Sequence, residues 1–129
     1  MLELAVFTCI LSVLFVVSTP TLSKTLTKGA FVREVSNMRY LLAKASLQAG
    51  LRSVRILATF DKTRVRLANT SVSILERVYK EKVNLVGNQS VQVTFFSGIS
   101  ATPRTISLSD GTHSCNLLVS LRGRIRQSC

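Results

Sequence analysis

The 129-residue sequence has no tryptophan, one histidine and only six acidic residues. One histidine and three cysteines offer too few ligands for a metal or haem site, so we expect no metal and no cofactor. The catalytic signatures G-x-S-x-G and the phosphate-binding loop are also absent, as are paired carboxylates. His113 follows Asp110-Gly111, a typical turn dipeptide, and is interpreted as a solvated loop residue. The sequence therefore predicts a protein that is not an enzyme.

Charge is distributed unevenly along the chain. The 17 lysines and arginines exceed the acidic residues and give a formal net charge of +11, yet Glu3 is the only charged residue in positions 1–23. A hydrophobic share of 47% excludes a disordered polar tail. The basic remainder indicates a polyanionic partner, either nucleic acid or an anionic membrane.

The N-terminal segment is almost wholly apolar from Met1 to Val17. With residues 18–22 added it reaches about 22 residues, or ~33 Å as a helix, which predicts a membrane span. The alternative, a cleaved secretory signal, needs a basic start, but the first basic residue is Lys24. An acidic Glu3 inside a bilayer is costly and calls for a specific role.

After Lys24 the apolar residues become periodic and predict one face of a helix that ends at Gly50. The stripe consists of Phe31, Val35, Met38, Leu42, Ala45 and Ala49. Lys28, Arg33, Arg39 and Lys44 lie off this stripe, as solvated residues should. Gly29, inside the pattern, and Pro20 are positions at which the helix could bend.

From Arg52 onward apolar and polar residues alternate, which predicts strands. We expect an α+β fold in which one long helix precedes an antiparallel sheet of about six or seven strands. The segment from Ser73 to Lys82 fits either a short helix or a strand. The predicted strands are 54–56, 64–67, 90–95, 104–108, 116–121 and 124–127.

Glu3 and Pro20 have the spacing found in the first helix of type IV pilins and type II secretion pseudopilins, and Leu2-Glu3-Leu4 is similar to the family's I-E-L. Met1 falls where that family has its third mature residue, so the leader peptide and the methylated N-terminus that the resemblance implies lie outside this sequence. The family also implies that Glu3 acts in assembly, with its carboxylate neutralised by the N-terminal amine of a neighbouring subunit.

The C-terminal half resembles the domain shared by the FimT and GspH pseudopilins. The matching positions are Val93 to Phe95, Gly98, Ile106 to Leu108, Val119-Ser120 and Gly123-Arg124-Ile125-Arg126. The resemblance implies a pilin-like fold, with a membrane-spanning and filament-core half-helix (1–23), an amphipathic half-helix (24–50) and a β domain (51–129) packed on the helix. It also implies a single-pass protein of the bacterial inner membrane with a periplasmic C-terminal domain. Such a protein joins other pilin or pseudopilin subunits in a pilus or pseudopilus.

Three cysteines are present, and Cys9 lies in the apolar segment, where it should behave as a small hydrophobic residue. Cys115 and Cys129 enclose 13 residues around a predicted hairpin. An oxidising compartment would permit a disulfide bond between them, and two free thiols are the alternative.

Several arginines occupy positions where they could contact a DNA backbone. Arg124 and Arg126 share one face if their strand is extended, and Arg122 precedes them. Arg104 begins another strand, and Arg64 and Arg66 share the polar face of a third. Planar guanidinium groups on one surface bind phosphates without reading the base sequence.

The FimT branch is associated with DNA capture in natural transformation through its G-R-x-R motif. The resemblance therefore implies that Gly123 forms a turn and that Arg124 and Arg126 contact phosphates of duplex DNA. The resemblance also implies a minor pilin that binds extracellular DNA for uptake. The alternative is a structural GspH-like pseudopilin at the tip of a type II secretion system, without DNA binding, or a basic face that is merely solvated.

Overall fold

A long N-terminal helix precedes nine short strands in the computed structural model, which describes residues 2–69, 72–79, 83–87, 89–98 and 100–129. The helix, α1, runs from Leu2 to Arg52 and contains Pro20. The chain forms two compact units, residues 1–30 and residues 31–129. The long helix followed by antiparallel strands confirms the predicted α+β class.

The predicted membrane anchor is wrong. Within the described residues, no helix is long and apolar enough to cross a membrane. Glu3 lies in the first turn of α1, and the hydroxyl groups of Thr8 and Ser12 donate hydrogen bonds to carbonyl groups of the preceding turn. The prediction of a single-pass inner-membrane protein with a periplasmic C-terminal domain is therefore not supported.

The predicted apolar stripe of α1 is confirmed at every position. All six of its residues, from Phe31 to Ala49, are at most 2% exposed. The helix ends two residues later than expected, because Gly50 is still helical and Ser53 takes the left-handed conformation, with φ of 50°. The Val54 N–H then donates to the Ala49 carbonyl and closes the helix end.

The described strands form two antiparallel sheets, not the one that the sequence predicts. The first sheet has the order β3-β2-β1-β5-β6, and the second has the order β4-β7-β8-β9. The strands are β1 (Ile56–Phe60), β2 (Arg64–Asn69), β3 (Val72–Val78), β4 (Asn84–Leu85), β5 (Val91–Phe96), β6 (Ser100–Ala101), β7 (Arg104–Ser109), β8 (Ser114–Val119) and β9 (Ile125–Ser128).

The segment that fitted either a helix or a strand forms β3, which pairs with β2. Residues 80–82 of that segment lie outside the described residues. The two sheets are joined at β6, where the Ala101 N–H donates a 2.9 Å hydrogen bond to the Leu121 carbonyl.

One hydrophobic core holds residues 31–129 together. The helix stripe meets the inward side chains of both sheets, which include Phe60, Phe95, Ile106 and Leu117. A buried carboxylate also joins the helix to the first sheet, since Glu34 is 4% exposed and its Oε2 lies 3.2 Å from Nη2 of Arg77. The shared core and this ion pair therefore hold α1 and both sheets together.

Candidate nucleic-acid interface

A tight turn places the C-terminal arginines at the end of β8. The Gly123 N–H donates to the Ser120 carbonyl, and the Ser120 N–H donates to the Arg124 carbonyl, each at 2.9 Å. The Ser120 hydroxyl accepts the Arg124 N–H at 3.1 Å. Gly123 has φ of 68°, a left-handed conformation that glycine adopts without steric cost. Gly123 therefore forms a turn, as the sequence predicts.

Strand β9 points its side chains alternately inward and outward. Ile125 packs against the core, and the Gln127 side-chain oxygen accepts a 3.2 Å hydrogen bond from the Ser36 hydroxyl on α1. Because alternate side chains of a strand face opposite sides, Arg124 and Arg126 both project outward, and both are exposed. The prediction that these two arginines share a face is therefore confirmed.

The outward arginines line one surface depression of about 370 Å³, which we call the arginine groove. Arg122 joins Arg124 and Arg126 there, and two exposed leucines, Leu118 and Leu121, also line the depression. The complete lining is Leu118, Ser120, Leu121, Arg122, Arg124 and Arg126.

The guanidinium groups of the groove are not neutralised within the part of the chain that the structure describes. No carboxylate in that part lies within ion-pair distance of Arg122, Arg124 or Arg126. The three positive charges around this depression attract a polyanion, and their guanidinium N–H groups can donate hydrogen bonds to it.

Arg64 and Arg66 lie elsewhere, on the outer face of the first sheet, and are engaged by an acid. Glu76 Oε1 lies 3.0 Å from Arg64 Nη1 and 3.4 Å from Arg66 Nη2. Hydrogen bonds from Arg64 and then Arg66 lower the pKa of the Glu76 carboxyl below its usual value. Arg64 also approaches Asp61 at 3.6 Å. The nearby carboxylates therefore offset part of the positive charge of Arg64 and Arg66, unlike that of the groove arginines.

Arg104 is in the second sheet but does not line the groove. It is the first residue of β7, pairs in register with Val119 and is exposed. The structure thus brings together three of the six arginines predicted from sequence.

The disulfide bond between Cys115 and Cys129 is present, which confirms that pairing over free thiols. Cys115 is buried in β8, and Cys129 follows β9, so the bond ties the end of the arginine-bearing strand to its neighbour. Cys9 is a free, exposed cysteine.

His113 lies in a turn in which the Asp110 side chain accepts hydrogen bonds from the backbone N–H groups of Thr112 and His113. Its Nδ1 lies 3.1 Å from Asp110 Oδ2, and its ring stacks on Phe31 at 6.1 Å between ring centroids. Burial raises the pKa of the Asp110 carboxyl, but hydrogen bonds from His113 and Thr112 outweigh burial and hold that pKa well below its usual range. His113 therefore lies in a turn, as the sequence predicts, but its side chain is only 30% exposed and is not fully solvated. Among the described residues, no three potential metal ligands lie together.

A contact on the outer face of the first sheet was not predicted from the sequence. The guanidinium carbon of Arg55 lies 5.1 Å from the ring centroid of Phe96. The two residues are far apart in the sequence and meet only because β1 pairs with β5. A single arginine and a single phenylalanine give no periodic signal that could have revealed this contact.

We expect Gly123→Ala to destabilise the fold by about 1–2 kcal/mol, because an L-residue is strained in the left-handed region. A methyl group at this position would also lie 3.0 Å from the Ser46 hydroxyl oxygen. Chemical denaturation should show this loss, and Ser46→Ala in the same chain, which removes the hydroxyl without adding a glycine to the helix, should recover only the part due to the contact. Gly29→Ala is the matched control, because its site is open and helical and the change should not destabilise the protein. Equal stability of the native chain and Gly123→Ala would contradict the need for glycine in this turn.

No protein-family model, curated protein or solved structure matches this chain.

Proposed function

We propose that the protein is a pilin-like subunit that binds the backbone of duplex DNA through the arginine groove. The observation that carries the proposal is the outward projection of Arg122, Arg124 and Arg126 around one depression, with no acidic partner in the described residues. Guanidinium groups placed in this way bind phosphate oxygens and release counterions, which gives affinity without base recognition. The whole-chain net charge of +11 adds long-range attraction for DNA.

The N-terminal unit, residues 1–30, supports the proposal that copies of the protein assemble into a filament. Leu4, Phe7 and Val16 are 66–74% exposed, so this part of α1 presents apolar side chains to its surroundings. Copies of the same segment packed together would remove that surface from water. This arrangement accords with the pilin resemblance of Glu3 and Pro20, and we assign the protein the role of a minor pilin in DNA uptake.

Titrating the full chain into a labelled blunt duplex tests this function. We expect non-specific binding with a Kd of about 10⁻⁴–10⁻⁶ M at physiological salt and tighter binding at lower salt. Duplexes of different base sequence should bind equally, because phosphates carry no sequence information. No binding even at low salt would contradict the proposal and favour a structural pseudopilin, whose partners are other pseudopilin subunits only.

A further inference from the structure

A second depression lies on the outer face of the first sheet, and we call it the stacked site. It has a volume of about 510 Å³ and is lined by Arg55, Leu57, Ala68, Asn69, Thr94 and Phe96. The guanidinium carbon of Arg55 lies over the Phe96 ring, 5.1 Å from its centroid, which is within the range of a cation–π interaction.

The Arg55 guanidinium remains able to bind a ligand. Arg55 is exposed, and none of the carboxylates in the described ranges forms an ion pair with it. A flat cation backed by an aromatic ring is a surface on which a nucleobase stacks. Leu57, Ala68 and Thr94 supply a floor of side chains that are only partly exposed.

The stacked site and the arginine groove are connected through β6. Phe96 pairs with Ser100, and the next residue, Ala101, donates its N–H to the Leu121 carbonyl beside the groove. Two strand spacings, or about 10 Å, therefore separate Phe96 from Leu121, one of the residues that line the groove. That distance equals the rise of about three nucleotides along one DNA strand.

We propose that the stacked site receives an unpaired base of a DNA strand whose phosphates lie in the arginine groove, so that the substrate is DNA with a single-stranded end. This inference rests on the proposed function. A base inside a duplex has both faces covered by its neighbours, whereas an unpaired base can stack on Arg55. The native protein should therefore bind a duplex with an overhang about fivefold or more tightly than a blunt duplex.

The test compares a blunt duplex with the same duplex carrying an overhang of about three nucleotides, the length that spans the two sites. Overhangs of both polarities are used, and each contains the fluorescent base 2-aminopurine. We expect the native full chain to favour one overhang and to quench its 2-aminopurine on binding, because stacking quenches that base.

Two variants test whether the overhang preference and the quenching arise at the stacked site. Phe96→Leu removes the aromatic ring, and Arg55→Lys keeps the charge but removes the planar group. Both should lose the quenching and the preference for the overhang while binding the blunt duplex as the native chain does. Arg52→Lys, at the exposed end of α1, is the matched control and should keep both. Thermal unfolding of each variant verifies the fold, and Arg55→Lys tests the site even if Phe96→Leu is unstable.

Equal affinity of the native chain for blunt and overhanging duplexes would overturn this inference and leave the arginine groove as a duplex site. A preference that persists in folded Phe96→Leu and Arg55→Lys would overturn it as well. Failure of every DNA to bind would overturn the proposed function and this inference with it.

Discussion

Cys129→Ala is expected to lower the free energy of unfolding by about 3 kcal/mol, because it opens a loop of about 15 residues that the disulfide closes in the unfolded chain. This change removes the bond without emptying the core, since the buried Cys115 side chain stays in place. Urea denaturation under oxidising conditions measures the loss, and a reducing agent should bring the native chain to the same stability as the variant.

The loss should be specific to the bridging cysteine. Cys9→Ala, which removes the exposed free thiol, should leave stability unchanged within about 0.5 kcal/mol. A native chain whose stability is unaffected by reduction would show that the bond does not constrain β9. In that case, the interactions of β9 with β8 and with Ser36 on α1 would suffice to hold the arginine groove.

Replacing Arg124 and Arg126 together by glutamine is expected to weaken duplex binding by at least about tenfold at low salt, because two charge-assisted hydrogen bonds to phosphate are lost. Both side chains are exposed, so the stability of the fold should change by no more than about 0.5 kcal/mol for each substitution. Fluorescence anisotropy with a labelled blunt duplex measures the affinity, and thermal unfolding verifies the fold.

A matched pair of substitutions separates the groove from bulk charge. Arg33→Gln with Lys44→Gln removes the same two positive charges from exposed positions on α1 that do not line the groove. We expect this pair to weaken binding much less than the groove pair. Equal weakening by the two pairs would mean that net charge alone attracts the DNA.

The fold was largely predictable because its elements follow local patterns. The helix stripe from Phe31 to Ala49 repeats at alternate steps of three and four, and every member is buried. Alternation of Arg124, Ile125 and Arg126 likewise predicted which side chains face outward. Patterns of this kind indicate which face of an element is buried, but they do not say which elements become neighbours.

Several features that the sequence did not predict depend on contacts between distant segments. Glu34 lies on the helix beside the apolar stripe, and its burial follows from Arg77 on β3, a strand that the sequence left undecided. The same strand places Glu76 beside Arg64. Arg64, which the sequence predicted as a DNA contact, therefore has an acidic partner. The division into two sheets also follows from long-range pairing.

The slope of the binding constant against salt concentration tests the arginine groove most directly, because it counts the phosphates that the protein neutralises. On a log–log scale, each neutralised phosphate contributes roughly −0.9 to the slope for duplex DNA. The native chain should give a slope steeper by about 2 units than Arg124→Gln with Arg126→Gln, while Arg33→Gln with Lys44→Gln should keep the native slope. Identical slopes for the native chain and the groove variant would contradict the assignment of these two arginines to the DNA backbone.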